Sequence, residues 1–333
     1  MPKLVLGEEI MPRRWYQTIE LEGVDAIFED IKRKNSRFWN EGKWDNFIKP
    51  LLPKERQTFL EIGCNAGLFL KAATDAGFKN VVGVERNRQI FNQAKCYREH
   101  TGGKYRLVNE GVGVDLRLED LPISDVVLIA NAHYYFTVGA FSKLVDSLRN
   151  RSLYCVVVSA RAKRRKGNAL YDINSVRGYF RDWHEITTIE DVDIEGDPCP
   201  RPQMYSVLFR GNLSTLDVND YHGAWFEAAK DKEHRSYMLA PSMQDFFTKV
   251  LSGENFEIED TSFYEYWRDR EPHRSPEWTK NFLSYKAGLA KDIQGNGIKE
   301  PIYINQGGML LDGLHRLCIA KLLGYEHIIC KRH

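Results

Sequence analysis

Two glycines and two acids are spaced for chemistry near the start of the second fifty residues. The run TFLEIGCNAGLFLKAATDAG, residues 58–77, carries Glu61, Gly63, Asn65 and Gly67 in the pattern Glu-x-Gly-x-x-x-Gly. A second apolar run, NVVGVE, ends in Glu85, 18 residues after Gly67. A glycine turn after an apolar strand lets a ligand approach the backbone, and the following helix presents free N–H groups. In an open parallel sheet such ligands sit outside the carboxyl ends of the strands. An acid ending the second strand can accept hydrogen bonds from both hydroxyls of a ribose. The pattern is not Gly-x-Gly-x-x-Gly, because Cys64, Asn65 and Ala66 follow Gly63, and no Gly-x-x-x-x-Gly-Lys-Ser/Thr occurs.

The elements that must hold these residues follow from the hydrophobic pattern. Strands are predicted at 58–62, 81–85, 105–109, 125–131 and 153–159, with helices near 67–77, 87–99 and 139–150. Strands alternating with helices imply a parallel sheet covered on both faces, hence a doubly wound α/β domain. Residues 10–50 read as a strand or turn and then a helical lead-in. Residues 195–209 carry three prolines and then a β-rich run, expected to add late antiparallel strands. Beyond a boundary near 214, residues 219–251 and 275–297 read as helical, followed by strand, turn, strand, helix and strand up to residue 333. The expected domains are 1–214 and 215–333.

Residues 56–160 resemble class I S-adenosylmethionine (SAM) methyltransferases, the glycine run matching motif I and Gly83-Val84-Glu85 motif II. The resemblance implies a Rossmann-like fold and SAM as cofactor. It places Glu61 near the methionine amino group, Gly63, Asn65 and Gly67 beside the sulfonium end, and Glu85 on the ribose. The stretch VNEGVGVDL lies where such enzymes bind adenine. In DVVLIANAHYYFTVGAF the strand ends at Asn131, and the loop after it faces the donor in this family. His133, Tyr134 and Tyr135 are then candidates for a general base and an aromatic wall; the alternative is that His133 caps the strand and the tyrosines pack. A base must stand within hydrogen-bond reach of the acceptor proton, and imidazole titrates near neutrality.

Two shorter resemblances bear on the acceptor. WYQTIELEGV with KWDNFIKPLLP is similar to the N-terminal segment of the wobble-uridine tRNA carboxymethyltransferases and their small-molecule relatives. HYYF and PRPQMY resemble the methyltransferase half of the methyltransferase–kinases that cap bacterial O-antigen glycans. In the tRNA enzymes a basic residue reads the extra carboxylate of the donor. None is assignable here from sequence, so SAM itself is expected.

About 45 C-terminal residues resemble the ParB/sulfiredoxin fold, the specific part being Asp312-Gly313-Leu314-His315-Arg316 at a strand-to-helix turn. The resemblance implies a small α+β domain handling nucleotide phosphates, with Asp312, Gly313, His315 and Arg316 at the phosphate. Sulfiredoxins carry a cysteine in that turn, which is absent here. A kinase of this type, using ATP or another nucleotide with Mg2+, would need an acid to activate a hydroxyl. Glu265, Asp269 and Glu271 are the candidates; a solvated loop is the plainer reading of that cluster.

Composition bounds these readings. Of 333 residues, 47 are basic and 46 acidic, so net charge supplies no general pull on polyanions. RAKRRK, residues 161–166, is the local exception, a solvated loop or a guide for a phosphate-bearing substrate. Six cysteines without Cys-x-x-Cys spacing suit reduced thiols, and no metal site is expected. No run nears the ~18 apolar residues of a membrane span, and no signal peptide is evident, so the expected location is cytoplasmic. The reading is methyl transfer from SAM to a hydroxyl or amine of a glycan or polyhydroxy metabolite, with a nucleotide-binding, phosphotransferase-type second domain. Its rivals are a tRNA or DNA methyltransferase and a non-catalytic sensor of SAM and nucleotide.

Overall fold

A computed structural model describes residues 42–54, 56–112, 117–161, 173–190, 203–218, 239–307 and 310–333. The chain divides into two compact units, one of residues 1–120 with 124–212, the other of 121–123 with 213–333.

The first unit is built on β1 (Thr58–Ile62), β2 (Asn80–Val84), β3 (Arg106–Val108), β4 (Ser124–Ala130), β5 (Ser152–Arg161), β6 (His184–Glu190) and β7 (Gln203–Arg210). They form one sheet in the order β3-β2-β1-β4-β5-β7-β6. The first five are mutually parallel, and β7 runs antiparallel to both β5 and β6. Strand order reverses between β1 and β4, which opens a crevice at their carboxyl ends. Its described α-helices are α1 (Leu68–Asp75), α2 (Arg88–Thr101), α3 (Val138–Leu148) and α4 (Ile173–Tyr179). Predicted strands and helices of residues 58–160 lie within two residues of those observed. Glu85 is one exception in kind, since it stands just past β2 rather than inside it.

The lead-in is helical where it is described. Trp44–Ile48 is a π-helical turn running into a 3-10 turn, Lys49–Leu51. Trp44, Phe47, Ile48 and Leu51 are all buried. The Trp44 indole stacks on Phe69 at 6.2 Å and meets Phe59 edge-on at 6.4 Å, joining the lead-in to β1 and α1. The start of β1 is pinned to β4 by Asp125, a buried acid whose Oδ2 accepts from the amides of Gln57 and Thr58, each at 2.7 Å. The proline-rich 191–202 and the basic residues 162–166 lie outside the described residues, as do residues 1–41.

The second unit holds β8 (Ser214–Asp217), β9 (Ile302–Ile304), β10 (Leu310–Asp312) and β11 (His327–Arg332) in the order β10-β9-β11-β8. Its helices are α5 (Leu239–Ser252), α6 (Ser262–Arg270), α7 (Pro276–Asn296) and α8 (Leu314–Leu322). Ser275 caps α7 by accepting from the Trp278 amide, Pro276 occupies its first turn, and Gly297 at φ 78° ends it. The order helix, strand, strand, helix, strand matches the sequence reading. Of the helix expected over 219–251, only the part from 239 onward is described. The five described cysteines, Cys64, Cys96, Cys155, Cys318 and Cys330, are free thiols and buried. No described helix is long and apolar enough to cross a membrane.

Gly83 tests the packing under the crevice. A Cβ there would stand 2.8 Å from Cys64 Sγ and would also strike Leu70. Overpacking of this kind costs roughly 1–3 kcal/mol. Gly83→Ala is expected to lower stability by that amount in urea unfolding followed by circular dichroism, whereas Gly139→Ala, which meets nothing within 4 Å, stays much closer to wild type.

Candidate functional site

A cavity of about 840 Å3 opens at the carboxyl ends of β1, β2 and β4. Backbone geometry makes the room. Gly63 has φ 75°, and a Cβ on it would lie 2.7 Å from the Cβ of Ala132. Its N–H and that of Cys64 both donate to the Val84 carbonyl, at 2.8 and 3.0 Å. Among the described residues, Asn65 at φ 52° and Asn131 at φ 54° are the non-glycine residues with positive φ, and both line the cavity. Such backbone is uncommon outside glycine and is enriched in asparagine. Asn65 Oδ1 accepts from the next amide, that of Ala66, at 2.8 Å.

Two carboxylates face this space. Glu85 receives the amides of Asn65 on Oε2 (3.1 Å) and Asn87 on Oε1 (2.8 Å). Burial raises its pKa, and these hydrogen bonds partly oppose the rise. Glu61 is 1% exposed, and its Oε2 has no hydrogen-bond partner. Burial, then the charge of Glu85, pushes the Glu61 carboxyl well above its ordinary range. Such a buried acceptor is costly unless a donor meets it. An ammonium group is the natural complement to Glu61, and a vicinal diol to Glu85. The cradle at Gly63, the orphaned Oε2 and the second acid therefore fit the amino-acid and ribose ends of SAM.

The sequence reading and the structure differ in particular places. Glu61, Gly63, Asn65, Glu85, Asn131 and Tyr135 are brought together around the cavity, and so are Glu110, Gly111 and Val112 of the expected adenine stretch. Residues 113–116 of that stretch lie outside the described residues. Gly67, at φ 85°, does not line the cavity; it begins α1 against Tyr105. His133 is fully buried and stands off the cavity, because the 3-10 turn His133–Tyr135 folds its ring toward Tyr134 and Phe141. An imidazole so placed is out of reach of an acceptor in the cavity. Tyr134 is half-buried and also off the lining, whereas Tyr135 is 75% exposed at the rim. Lys43 was not singled out from sequence. It lines the cavity while nearly enclosed, and burial lowers its pKa to about 7. The signal was there: a lysine beside Trp44, Phe47 and Ile48, which share one buried helical face.

The glycine turn of the second unit is real, but its charges are spent internally. Gly313, at φ 107°, begins α8, where a Cβ would lie 2.5 Å from Ile302 Cγ2. Arg316 is buried, with Nη1 on Glu300 Oε2 at 2.9 Å and Nη2 on Asp312 Oδ2 at 2.8 Å. His315 sits among Phe247, Phe263 and Phe282, and burial, then the charge of Lys286, lowers its pKa to about 4. A neutral, enclosed imidazole and a doubly paired guanidinium do not present the open anion site expected at Asp312–Arg316. Glu265 and Asp269 are exposed on α6, about 200° round the helix from Phe263 and Trp267, which face Phe282. Glu271 pairs with His273 at 3.4 Å. The three acids do not converge on the turn. Among the described residues no three His, Cys, Asp or Glu side chains are grouped to hold a metal ion.

No protein-family model matches the chain. Over 293 residues it is 21% identical to a tRNA U34 carboxymethyltransferase of Helicobacter pylori, covering 82% of this chain and 96% of that protein. Among solved structures, the N-methyltransferase NodS of Bradyrhizobium japonicum is similar at a TM-score of 0.43 and 17% identity, over 53% of this chain and 98% of that one. Magnesium protoporphyrin IX methyltransferase of Synechocystis, solved with bound SAM, gives 0.41 and 14%, over 60% and 88%. Sheet order and the glycine turn give the first unit a Rossmann-like, doubly wound fold.

The carboxylates also set a pH dependence. Because the Glu61 pKa is raised on folding, its contribution to stability is fully present below the unfolded value and is lost as pH rises through the folded value. Glu61→Gln is therefore expected to raise the melting temperature of the ligand-free protein at pH 7.5. The same variant should bind SAM about tenfold or more weakly, since a hydrogen bond to a charged group contributes roughly 1.5–3 kcal/mol. Wild-type affinity should fall as the buffer is taken from pH 7.5 toward 5, and calorimetry across that range should find a flatter profile for Glu61→Gln.

Proposed function

We propose that the first unit transfers a methyl group from SAM. The observation that carries this reading is the enclosed Glu61 carboxylate with an unpartnered oxygen, beside a glycine cradle and a ribose-type acid. SAM supplies, when bound, a methyl group on a sulfonium, open to in-line displacement. The chain's own residues bind and orient. Glu61 takes the amino group, Glu85 the ribose diol, and Glu110 to Val112 with Ile90 wall the adenine side. Asn131, Tyr135 and Phe136 form the side of the cavity from which an acceptor approaches. Catalysis of this kind rests chiefly on positioning and exclusion of water. Tyr135 is the titratable group of the HYY triplet that reaches the lining, so it replaces His133 as the candidate to meet the acceptor.

For the acceptor, we favour RNA over a glycan. The support is the Helicobacter pylori relative, a tRNA-modifying protein similar across most of this chain. The second unit is read as ParB/sulfiredoxin-like on its element order and its Gly313 turn. No phosphotransferase role is carried forward, because Arg316 is already bound by two carboxylates and the three candidate acids stand elsewhere.

The test is transfer of tritiated methyl from SAM to a panel of bulk tRNA, single-stranded RNA and polyhydroxy sugars. Label is expected in RNA. Label in sugars alone would reverse the acceptor assignment, and SAM binding that is equal in wild type and Glu85→Ala would remove the donor site. Tyr135→Phe should reduce turnover by at least tenfold while leaving the SAM dissociation constant within about twofold, if the hydroxyl handles the acceptor proton.

A further inference from the structure

Helix α2 and its flanks carry charge that neither the fold nor the donor site uses. Between residues 86 and 104 stand five cations, Arg86, Arg88, Lys95, Arg98 and Lys104, and a single acid, Glu99. The whole chain is nearly balanced, with 47 basic and 46 acidic residues. Arg86, Arg88, Lys95 and Lys104 are exposed, and Arg98 is half-buried with Nη1 on the Tyr105 carbonyl at 3.4 Å. Among the described residues none of the five is ion-paired, although Glu99 follows Lys95 by four residues. Helices α1 and α5 do pair at that spacing, Lys71 with Asp75 at 2.6 Å and Lys249 with Asp245 at 3.0 Å.

Helix stability accounts for part of this charge. Arg98 and His100 in the last turn complement the negative end of the helix dipole. Arg88 does the reverse. It opens the helix, where the dipole favours an anion, and no acid shares its turn. The cavity carboxylates do not employ it either. Glu85 is held by the amides of Asn65 and Asn87, and the charge acting on Glu61 is that of Glu85. Arg86 lines the cavity beside Glu110, and a Cβ on Gly111 would lie 3.1 Å from its Cδ.

The cations run away from the cavity in a line. After Arg86 at the cavity wall, Arg88 starts the helix. Lys95 falls on the same face, seven residues and about 10 Å further along. Arg98 turns toward Tyr105, and Lys104 leads into β3, the edge strand of the sheet. Single strands are held by open rings on which bases stack. This helix offers none, since Tyr97 is buried and Phe91 half-buried. Exposed cations without rings meet phosphates, which position a nucleic acid without reading its bases. The step from Arg88 to Lys95 matches about three phosphates of one strand.

We infer that the edge formed by Arg86, Arg88, Lys95, Arg98 and Lys104 is a docking surface for the phosphate backbone of a base-paired RNA stem, and that it leads one end of the stem to the mouth of the donor cavity. The inference deepens the RNA-acceptor reading and rests on it.

The experiment uses the full chain and three fluorescein-labelled probes, bulk tRNA, a fully paired RNA hairpin and an oligouridine of twelve residues, in anisotropy titrations from low to moderate salt. The tRNA and the hairpin are expected to bind more tightly than the oligouridine. Arg88→Gln, Lys95→Gln and Lys104→Gln should each lessen the slope of log affinity against log salt by about 0.9 for the hairpin. Glu99→Gln should strengthen binding, and Lys249→Gln on the second unit should change neither affinity nor slope. Arg88→Gln should meanwhile hold or raise the melting temperature, which a structural role for that guanidinium would not allow. Calorimetry should find the SAM affinity of each variant unchanged. Equal salt slopes across the three variants overturn the inference. So does tighter binding of the oligouridine than of the hairpin, or of polyglutamate than of either, the last making the partner an acidic protein. Methyl-transfer assays on the same samples separate the two readings. RNA held through these cations without label entering it removes RNA as acceptor and leaves the surface standing. Labelled RNA whose affinity is indifferent to all three variants keeps the acceptor and removes the surface. Absence of RNA binding by a SAM-competent protein removes both.

Discussion

The first unit turns on the double hydrogen bond from Gly63 and Cys64 to the Val84 carbonyl. It ties the end of β1 to the end of β2 just where the ladder between them would otherwise stop. With the turn fixed there, Asn65 can send its amide to Glu85, and Glu85 is held facing the cavity rather than solvent. The same tie keeps Cys64 turned inward beneath the turn, against the position where only a glycine fits in β2. A side chain on Gly63 would collide with Ala132 and move the β4 loop that carries Asn131 and Tyr135. One backbone contact thus positions both carboxylates and the opposite wall of the cavity.

Burial then gives the acids their character. Glu61 lies under the turn, where burial removes it from water and leaves its Oε2 without a hydrogen-bond partner. A charged group in that state is unfavourable until a cation arrives, so free energy is held back for the ligand. Lys43 is drawn into the same cavity by the lead-in, where Trp44 packs on Phe59 of β1 and Phe69 of α1 and Phe47 and Ile48 join the same core. Burial disfavours the charged form of each, raising the Glu61 pKa and lowering that of Lys43.

The elements of residues 58–160 were legible because two periods, 2 and 3.6, alternate there without interruption, and glycine and acid mark the strand ends. Most of the cavity wall was legible for the same reason: Glu61, Gly63, Asn65, Glu85 and Asn131 stand at or just past the ends of strands. The direction of the His133 ring was not legible, because a single 3-10 turn decides which of three consecutive rings points inward, and nothing in HYY fixes that phase. Lys43 was missed because its role depends on a lead-in folding back over a sheet formed later in the chain. At Asp312–Arg316 the motif was read correctly as a turn, yet Glu300 lies sixteen residues upstream of Arg316, and no local pattern announces that pairing. The placement of Glu265 and Asp269 was recoverable from sequence, since Phe263 and Trp267 claim the opposite face at the same spacing.

Asn65 and Asn131 hold left-handed backbone without being glycine. Each carries a local conformational penalty that glycine would relieve. A laboratory selection for heat resistance, run without the donor, would therefore favour glycine at both positions. It would then produce a sturdier protein with a barer cavity floor. Gain in chain comfort and loss of polar side chains from the cavity wall would come from the same two substitutions.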